Sequence, residues 1–386
     1  MPIKVFIALI QIFAIAFTAS AELFDMNRVS VRAMGMGNAY TAVVDNADSL
    51  FYNPAGLARI GGVSWTIFEA TGGFSNLTEL TEAMTAVSGG SIIDIMNSLY
   101  GEQVWIGGHG KTAVTLPNMA AALYTTIDYS FGVNNPSLPE LSANILTDTG
   151  LAAGAGLGII PGLHVGAVLK SISRVGTRQV YGVTELGTLD YNSIAASFSE
   201  GGQGFSIDVG ANLIIQSPVT PVISMVARNV GGTTFLTTSD SLPNDDEEII
   251  LGGALLFNLP MLTISPSFDL RYIGDKTGLD LGRRLNLGLE VDLPVFDIRA
   301  GFHQGYFSYG AGMSLGLIQM DFASYGVEMG QYAGQLEDRR YLLSFKMELG
   351  VDLGLGSSGG SSSGGKAGAA RGGSGGSSRL AKKQRR

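Results

Sequence analysis

The side chains able to do chemistry in this chain are mostly acids and bases spaced two residues apart: Asp269 with Arg271, Glu290 with Asp292, Asp297 with Arg299, and Lys346 with Glu348, besides Asp208 and Asp321. Neighbouring carboxylates can divide general-acid and general-base work. Catalysis also needs a poised nucleophile or base, and the His residues, at 109, 164 and 303, are scattered. With no Cys there is neither a thiolate metal site nor a disulfide framework. The expectation is therefore a non-enzyme with no catalytic residue and no cofactor. Charges of both signs at period two suit the inside of a barrel, which they hydrate or cross-link. One stretch, SDSLPNDDEE at 239–248, concentrates Asp240, Asp245, Asp246, Glu247 and Glu248. It lacks the alternating Asp-x-Asp-x-Asp-Gly spacing of a calcium loop, so it reads as a solvated acidic loop and no metal site is expected.

The elements that would position these charges are strands. In RLNLGLEVDLP, Leu285, Leu287, Leu289, Val291 and Leu293 share one face, and Asn286, Gly288, Glu290 and Asp292 the other. FSIDVGANLI (205–214) and YLLSFKMEL (341–349) alternate in the same way. Period two with a continuous apolar face is a strand covered on one side only. Tight turns recur at 116–118, 160–163, 217–221, 258–261, 292–295 and 315–317. Between them lie connections at 71–110, 132–148, 176–202, 232–247, 274–282, 303–306 and 329–338, of which only the sixth is tight. Short turns on one side and longer loops on the other are the habit of outer-membrane barrels. Six inner turns and seven outer loops give 14 strands, an even number with both ends in the periplasm. The expected fold is all-β, a transmembrane antiparallel β-barrel of about 14 strands. A soluble β-sandwich would alternate too, but it would need two domains at this length and would not explain a polar face so rich in Gly, Asn and Asp.

Composition agrees with a lipid-facing barrel: 45% hydrophobic residues, only 15% charged, and 55 Gly. Lys4, the apolar run Val5–Phe17 and Ala19-Ser20-Ala21 follow the order of a cleaved export signal, so the mature chain is expected to begin at Glu22. The domains expected are a signal at 1–21, a plug at 22–62, the barrel at 63–350 with a partly helical outer loop at 71–110, and a tail at 351–386. The net charge is −9, yet residues 356–386 hold seven Lys or Arg and no acid. The tail is Gly/Ser-rich and reads as a flexible coil ending in a basic cluster. Nucleic acid is not an expected partner in this compartment.

Residues 35–60, GMGNAYTAVVDNADSLFYNPAGLARI, fit neither an amphipathic helix nor a strand. Asp45 and Asp48 are expected to cap short helical turns, and Asn53-Pro54 to break any helix, since the residue before Pro avoids the α region. Gly56 is expected to supply a backbone conformation closed to other residues. The stretch therefore reads as a compact plug with a sharp bend, lying inside the barrel.

RAMGMGNAYTAVVDNADSLFYNPAGLARI (32–60) resembles the N-terminal signature of FadL-like outer-membrane proteins and of the related PorV/PorQ and TraF-like groups. The segment 286–330 is similar to the last strands of PorV-like members, and FSIDVGANL followed by ARNVGG matches a middle portion. The resemblance implies that Asp45, Asp48, Asn53, Pro54 and Gly56 belong to a hatch inside the barrel. It further implies passage of hydrophobic small molecules, fatty-acid-like or aromatic, across the outer membrane through the lumen and a lateral opening in the wall. The PorV-like members imply the alternative of a non-enzymatic scaffold or shuttle for protein secretion or surface attachment, with secretion-system proteins as partners. Outer-membrane lipid and lipopolysaccharide are the expected surroundings in either case. In the loop NLTELTEAMTAVSGGSIIDIMNSLY (76–100), Leu77, Leu80 and Met84, then Ile92, Ile95, Met96 and Leu99, recur at helical spacing. Two short amphipathic helices are expected there, either as a hydrophobic entry site or as a cover for the rim.

Overall fold

Successive short turns force neighbouring strands to run antiparallel, and the computed structural model shows a sheet built this way and closed on itself. It describes residues 30–78, 81–82, 85, 100–101, 103–134, 140–182, 201–237, 242–274, 278–330 and 332–351. The strands are β1 Val63–Ser75, β2 Gln103–Leu116, β3 Met119–Asn134, β4 Glu140–Ile160, β5 Leu163–Tyr181, β6 Gly201–Ile214 and β7 Val219–Arg228. The second half holds β8 Glu248–Leu259, β9 Leu262–Leu270, β10 Leu285–Asp292, β11 Phe296–His303, β12 Tyr306–Leu315, β13 Ile318–Glu328 and β14 Glu337–Val351. Each strand pairs with its sequence neighbours, and β1 pairs antiparallel with β14, from Val63 opposite Val351 to Ser75 opposite Arg340. The fold is thus the expected closed barrel of 14 antiparallel strands. Closure leaves no sheet edge to satisfy, which is what a chain in lipid requires.

Alternation decides which side chain faces which medium. On the outer face Leu123, Leu169, Phe205, Met225, Ile298 and Leu343 are exposed. Their immediate neighbours Lys170, Ser206, Arg299 and Ser344 are buried in the lumen. Exposed aromatics mark both ends of this apolar band, Trp65 and Phe296 near the tight turns and Phe302, Phe307 and Tyr309 at the opposite rim. An apolar belt between aromatic girdles is the outer surface of a membrane-spanning barrel. Tight turns are closed by residues in the left-handed region, such as Asn118 at φ 63° and Gly162 at φ 85°.

The first three outer connections are shorter than the sequence suggests, because the strands run further. β1 reaches Ser75 and β2 begins at Gln103, so the expected loop 71–110 contracts to 76–102. The alternation is hidden there by Gly72, Gly73, Gly107 and Gly108. Two of these glycines make room for one ring: Gly73 approaches Trp105 from the adjacent strand, and Gly107 lies against the same indole. Trp105 is buried, donates from Nε1 to Asp128 Oδ1 at 2.9 Å, and has the Arg340 guanidinium over its face at 4.6 Å. Likewise 132–148 and 176–202 contract to 135–139 and 182–200. The export signal, the tail beyond Val351, and Leu80, Met84, Ile92, Ile95, Met96, Leu99 and Asp240 lie outside the described residues.

Candidate functional site: the segment within the barrel

Residues 30–62 enter the lumen before β1 begins, and their apolar side chains have nowhere else to be buried. The segment holds a short helix, Val31–Gly35, and two 3-10 turns, Ala47–Leu50 and Pro54–Arg59. The helix packs on β12 and β13, and the second 3-10 turn on β4, β5 and β6. Tyr40, Leu50, Phe51, Tyr52 and Leu57 are buried together against Ala113, Ala120, Ala122 and Ala152 of β2 to β4. Alanine at these inward positions leaves the volume that the segment occupies. Phe51 then meets Tyr124 edge-on, with ring centroids 5.1 Å apart, a favoured aromatic geometry.

Two rows of wall glycines let the backbone come closer still. Gly156, Gly166 and Gly210 stand side by side across β4, β5 and β6. A side chain at any of them would collide with the second 3-10 turn: with Ala58, with the Pro54 carbonyl, or with Asn53. Opposite, Gly288 and Gly301 are register partners on β10 and β11, and their lumen sides touch the backbone at Met36 and Gly37. Gly37 has φ 62°, a conformation that only Gly adopts cheaply. Gly35 meets Gly310 of β12 in the same way. The Gly-x-Gly of the N-terminal signature is therefore a docking surface against glycines some 250 residues further along the chain.

Polar anchors fix the position. Asn53 donates from Nδ2 to Thr41 O at 2.8 Å and to Asn212 Oδ1 of β6 at 2.7 Å, while its Oδ1 accepts from Ala55 N at 3.0 Å. It thus caps the 3-10 turn whose first residue is Pro54 and ties it to the wall. Asp269 of β9 accepts from the backbone N–H groups of Tyr40 at 3.0 Å and Thr41 at 3.1 Å. Asp48 forms a close ion pair with Lys111 of β2, which also meets Glu69 of β1 at 3.1 Å, and Asp48 accepts from Ser30 Oγ at 3.0 Å. Burial pushes the Asp48 carboxyl up, but the adjacent Lys111 ammonium outweighs this and holds it below the ordinary carboxylate range. At the other wall Arg32 grips Glu290 through both oxygens, at 2.8 and 2.6 Å. Arg299 completes the network, reaching Glu290 at 2.8 Å, Asp321 at 2.6 Å and Asp297 at 3.2 Å.

Two local expectations need correction. Asp45 and Asp48 do not cap. Asn46 does, accepting from Asp48 N at 2.9 Å, while Asp45 faces Arg59 at 3.7 Å and Arg32 at 4.0 Å. Gly56 does not supply a left-handed backbone; it is needed because a Cβ would lie 2.6 Å from both Ser49 Oγ and Val44 O. The acidic loop is solvated only in part: Asp246 and Glu247 are exposed, whereas Asp245 and Glu248 turn to lumen cations. Arg174 of β5 binds Asp148 at 2.8 Å and Asp245 at 2.8 Å, and Phe235 and Leu242 pack with Ile172. Glu248, the last acid of the stretch, meets Arg228 at 3.0 Å and Arg271 at 2.6 Å. The described part of this loop is drawn into the mouth of the barrel because two of its carboxylates, Asp245 and Glu248, are counter-ions of lumen cations. We predict that Arg174→Met lowers stability by about 3–5 kcal/mol, since the carboxylates of Asp148 and Asp245 would lose their common guanidinium. It should also speed protease cleavage within 229–247 in proteoliposomes; unchanged cleavage would mean that other contacts hold the loop.

Leu77 is exposed at the rim. The inward charges expected from alternation are buried or partly buried, and most are paired inside the barrel: Glu290 with Arg32 and Arg299, Asp208 with Lys170, Arg271 with Glu248, and Lys346 with Glu348. Not singled out from the sequence are the further lumen charges Arg32, Glu69, Lys111, Lys170 and Arg174, and the lumen glycines. A signal for Lys170 and Arg174 existed: they alternate with Leu169 and Val175 in LKSISRV, which places them on the inward face.

A small polar cleft of about 60 Å³ remains at the tight-turn end, between the plug and the wall, bordered by Arg32, Glu290, Asp292, Asp297, Asp321 and Lys346 among others.

No family model matches the chain, and no curated protein matches it. Among solved structures it is similar to the CymD monoaromatic hydrocarbon channel, at 12% identity and TM-score 0.48, covering 84% of this chain and 98% of that one. It is similar also to a TodX monoaromatic hydrocarbon channel carrying the deltaS2S3 mutation, at 11% identity and TM-score 0.49, covering 85% and 100%. A third is the Ralstonia pickettii toluene transporter TbuX, at 10% identity and TM-score 0.46, covering 83% and 98%. At such identities the likeness is one of architecture alone.

Proposed function

We propose that the protein is an outer-membrane channel for passive entry of apolar small molecules, with residues 30–62 as its hatch and both ends of the barrel in the periplasm. The observation that carries this reading is the apolar group at the loop-side mouth, Ile172, Phe235 and Leu242, buried under a loop that Arg174 holds down. Ile172 projects from the wall while Phe235 and Leu242 come from the loop, so lifting that loop would bare an apolar patch at the mouth. It offers an apolar guest a first site above the hatch, and the hatch is held only by hydrogen bonds, ion pairs and close packing. Those contacts can be exchanged without breaking the barrel. The structural neighbours named as hydrocarbon channels and toluene transporters suggest aromatic hydrocarbons as the class to try first.

One observation favours a second reading, a closed scaffold for exported proteins. The hatch fills the lumen between β2–β6 and β10–β13, and a scaffold needs no passage. Permeability of proteoliposomes separates the two. Asn53→Ala with Gly56→Val removes the tie to Asn212 and overpacks the turn, at a cost of about 1–3 kcal/mol for the overpacking alone. We predict normal insertion of the double variant, with a raised leak of small polar solutes or an altered rate of toluene uptake. Unchanged permeability in correctly inserted protein would turn the balance to the scaffold, which should then copurify with a stoichiometric protein partner.

A further inference from the structure

The six tight turns are apolar out to their tips. Met261 is 80% exposed, Ile160 60% and Leu315 56%, and Met119, Ile215 and Val295 are exposed at the same end. No Lys, Arg, Asp or Glu occurs in 117–118, 161–162, 215–218, 260–261, 293–295 or 316–317, where the polar side chains are Asn118, Gln216 and Ser217. The opposite mouth is built differently: its described connections carry Asp246, Glu247, Asp280 and Arg284. An exposed apolar surface repeated around one whole end of a molecule marks contact with a protein or a membrane.

The turns also keep their backbone from needing water. Five of them contain Pro, at 117, 161, 218, 260 and 294, and Pro has no N–H to satisfy. Turn carbonyls are met by the strand that follows each hairpin: Asn118 O accepts from Gly156 N at 2.8 Å, Gly162 O from Ile214 N at 2.7 Å, Val295 O from Ser314 N at 2.9 Å and Leu317 O from Glu348 N at 2.9 Å. In water solvent would serve such groups; in lipid they must be satisfied within the protein. Strand length separates lipid from protein as the covering phase. β10 and β11 hold eight residues each. At about 3.4 Å per residue and about 40° of tilt they rise about 20 Å, short of the apolar band of about 25 Å on a spanning barrel. Charged connections hold the other mouth in water, so the shortfall falls to the turn end. We propose that the tips of the tight turns lie within the bilayer, at the boundary between the acyl chains and head groups of a phospholipid leaflet, and not in the water beyond it. The ring of tips is continuous with the lipid-facing belt through Leu259, Phe296 and Ile318, all exposed. A protein cap would cover the tips as well, but it would leave β10 and β11 too short to span. This depth is independent of what crosses the barrel.

The absence of cysteine from the chain provides the test. Ile160→Cys, Met261→Cys and Leu317→Cys are made singly in the full-length protein and inserted in dioleoylphosphatidylcholine vesicles, with heat-modifiable mobility as the check on insertion. Glu247→Cys, exposed at the other mouth, is the aqueous reference, and Leu289→Cys in the belt is the lipid reference. A charged methanethiosulfonate present on both sides of the bilayer should modify the three turn cysteines about tenfold more slowly than Glu247→Cys, or slower still, because only an accessible thiolate reacts. In thinner dilauroylphosphatidylcholine vesicles the turn cysteines should speed up towards the aqueous reference while Leu289→Cys stays slow. Turn rates equal to that of Glu247→Cys in the dioleoyl vesicles overturn the proposal. So does protection that is the same in both bilayers, which would come from the barrel's own packing. Tips that react freely in vesicles but are protected in isolated outer membranes would give the ring to a protein partner and overturn the proposal too.

Discussion

Gly210→Val, and separately Gly166→Val, should displace the Asn53–Pro54 turn from the wall while the barrel still inserts. At Gly166 the first added carbon would fall on the Pro54 carbonyl and lie 2.8 Å from Ala55 N; at Gly210 it would fall on Asn53 Oδ1 and lie 3.1 Å from Pro54 Cδ. Backbone cannot step aside as the end of a side chain can, and Asn53 is already committed to Thr41, Ala55 and Asn212. Overpacking of this kind costs about 1–3 kcal/mol and occasionally more. Each 1.4 kcal/mol raises the displaced population about tenfold. The strand ladder is spared because the new side chain points into the lumen. The expected readouts are a heat-modifiable barrel of normal mobility, protease cleavage within 30–62 from the tight-turn side, and raised conductance. Gly72→Val is the control, since a Cβ there meets nothing within 4 Å. If the Gly166 and Gly210 variants conduct and resist protease like the control, the glycine row is not what seats the segment.

Arg299→Met should be the most destabilising single change in the lumen. Its guanidinium, almost fully buried, is shared by Glu290, Asp297 and Asp321. Removing one member of a buried ion pair costs about 3–5 kcal/mol, because the partner is left charged and desolvated. Here three carboxylates lose a cation at once, and Arg32 remains to serve Glu290 alone. A urea midpoint in detergent micelles should fall accordingly. Arg299→Lys keeps the charge but not the planar fork that reaches three acceptors, and should fall between the two. Adding Asp321→Asn to Arg299→Met should recover part of the loss by removing one of the stranded charges. A shift under about 1 kcal/mol for Arg299→Met, with no recovery in the double variant, would mean that water already solvates this cluster.

The chain's alternation alone is enough to reveal the architecture. Phe205, Ile207 and Val209 against Ser206 and Asp208 state which side faces lipid, and each Pro- or Gly-bearing turn states that the next strand reverses. These are properties of residues adjacent in sequence, with a side-chain period of two, so 14 strands and the inward set of charges can be counted without coordinates. Alternation is erased by glycine at Gly72-Gly73 and Gly107-Gly108, so the ends of β1 and β2 look like loop in the sequence. Partners and fit were decided only by the tertiary structure. Arg32 meets Glu290 across 258 residues, and Asn53 meets Asn212 across 159. Which inward residue faces which depends on where β1 closes on β14 and on how far the lumen segment enters. Alternation assigns a side chain to a face but not to a depth or a partner. For the same reason glycines in GLGIIPGLHVGA look like any strand glycines, until closure sets Gly156, Gly166 and Gly210 in one row under the Pro54 turn.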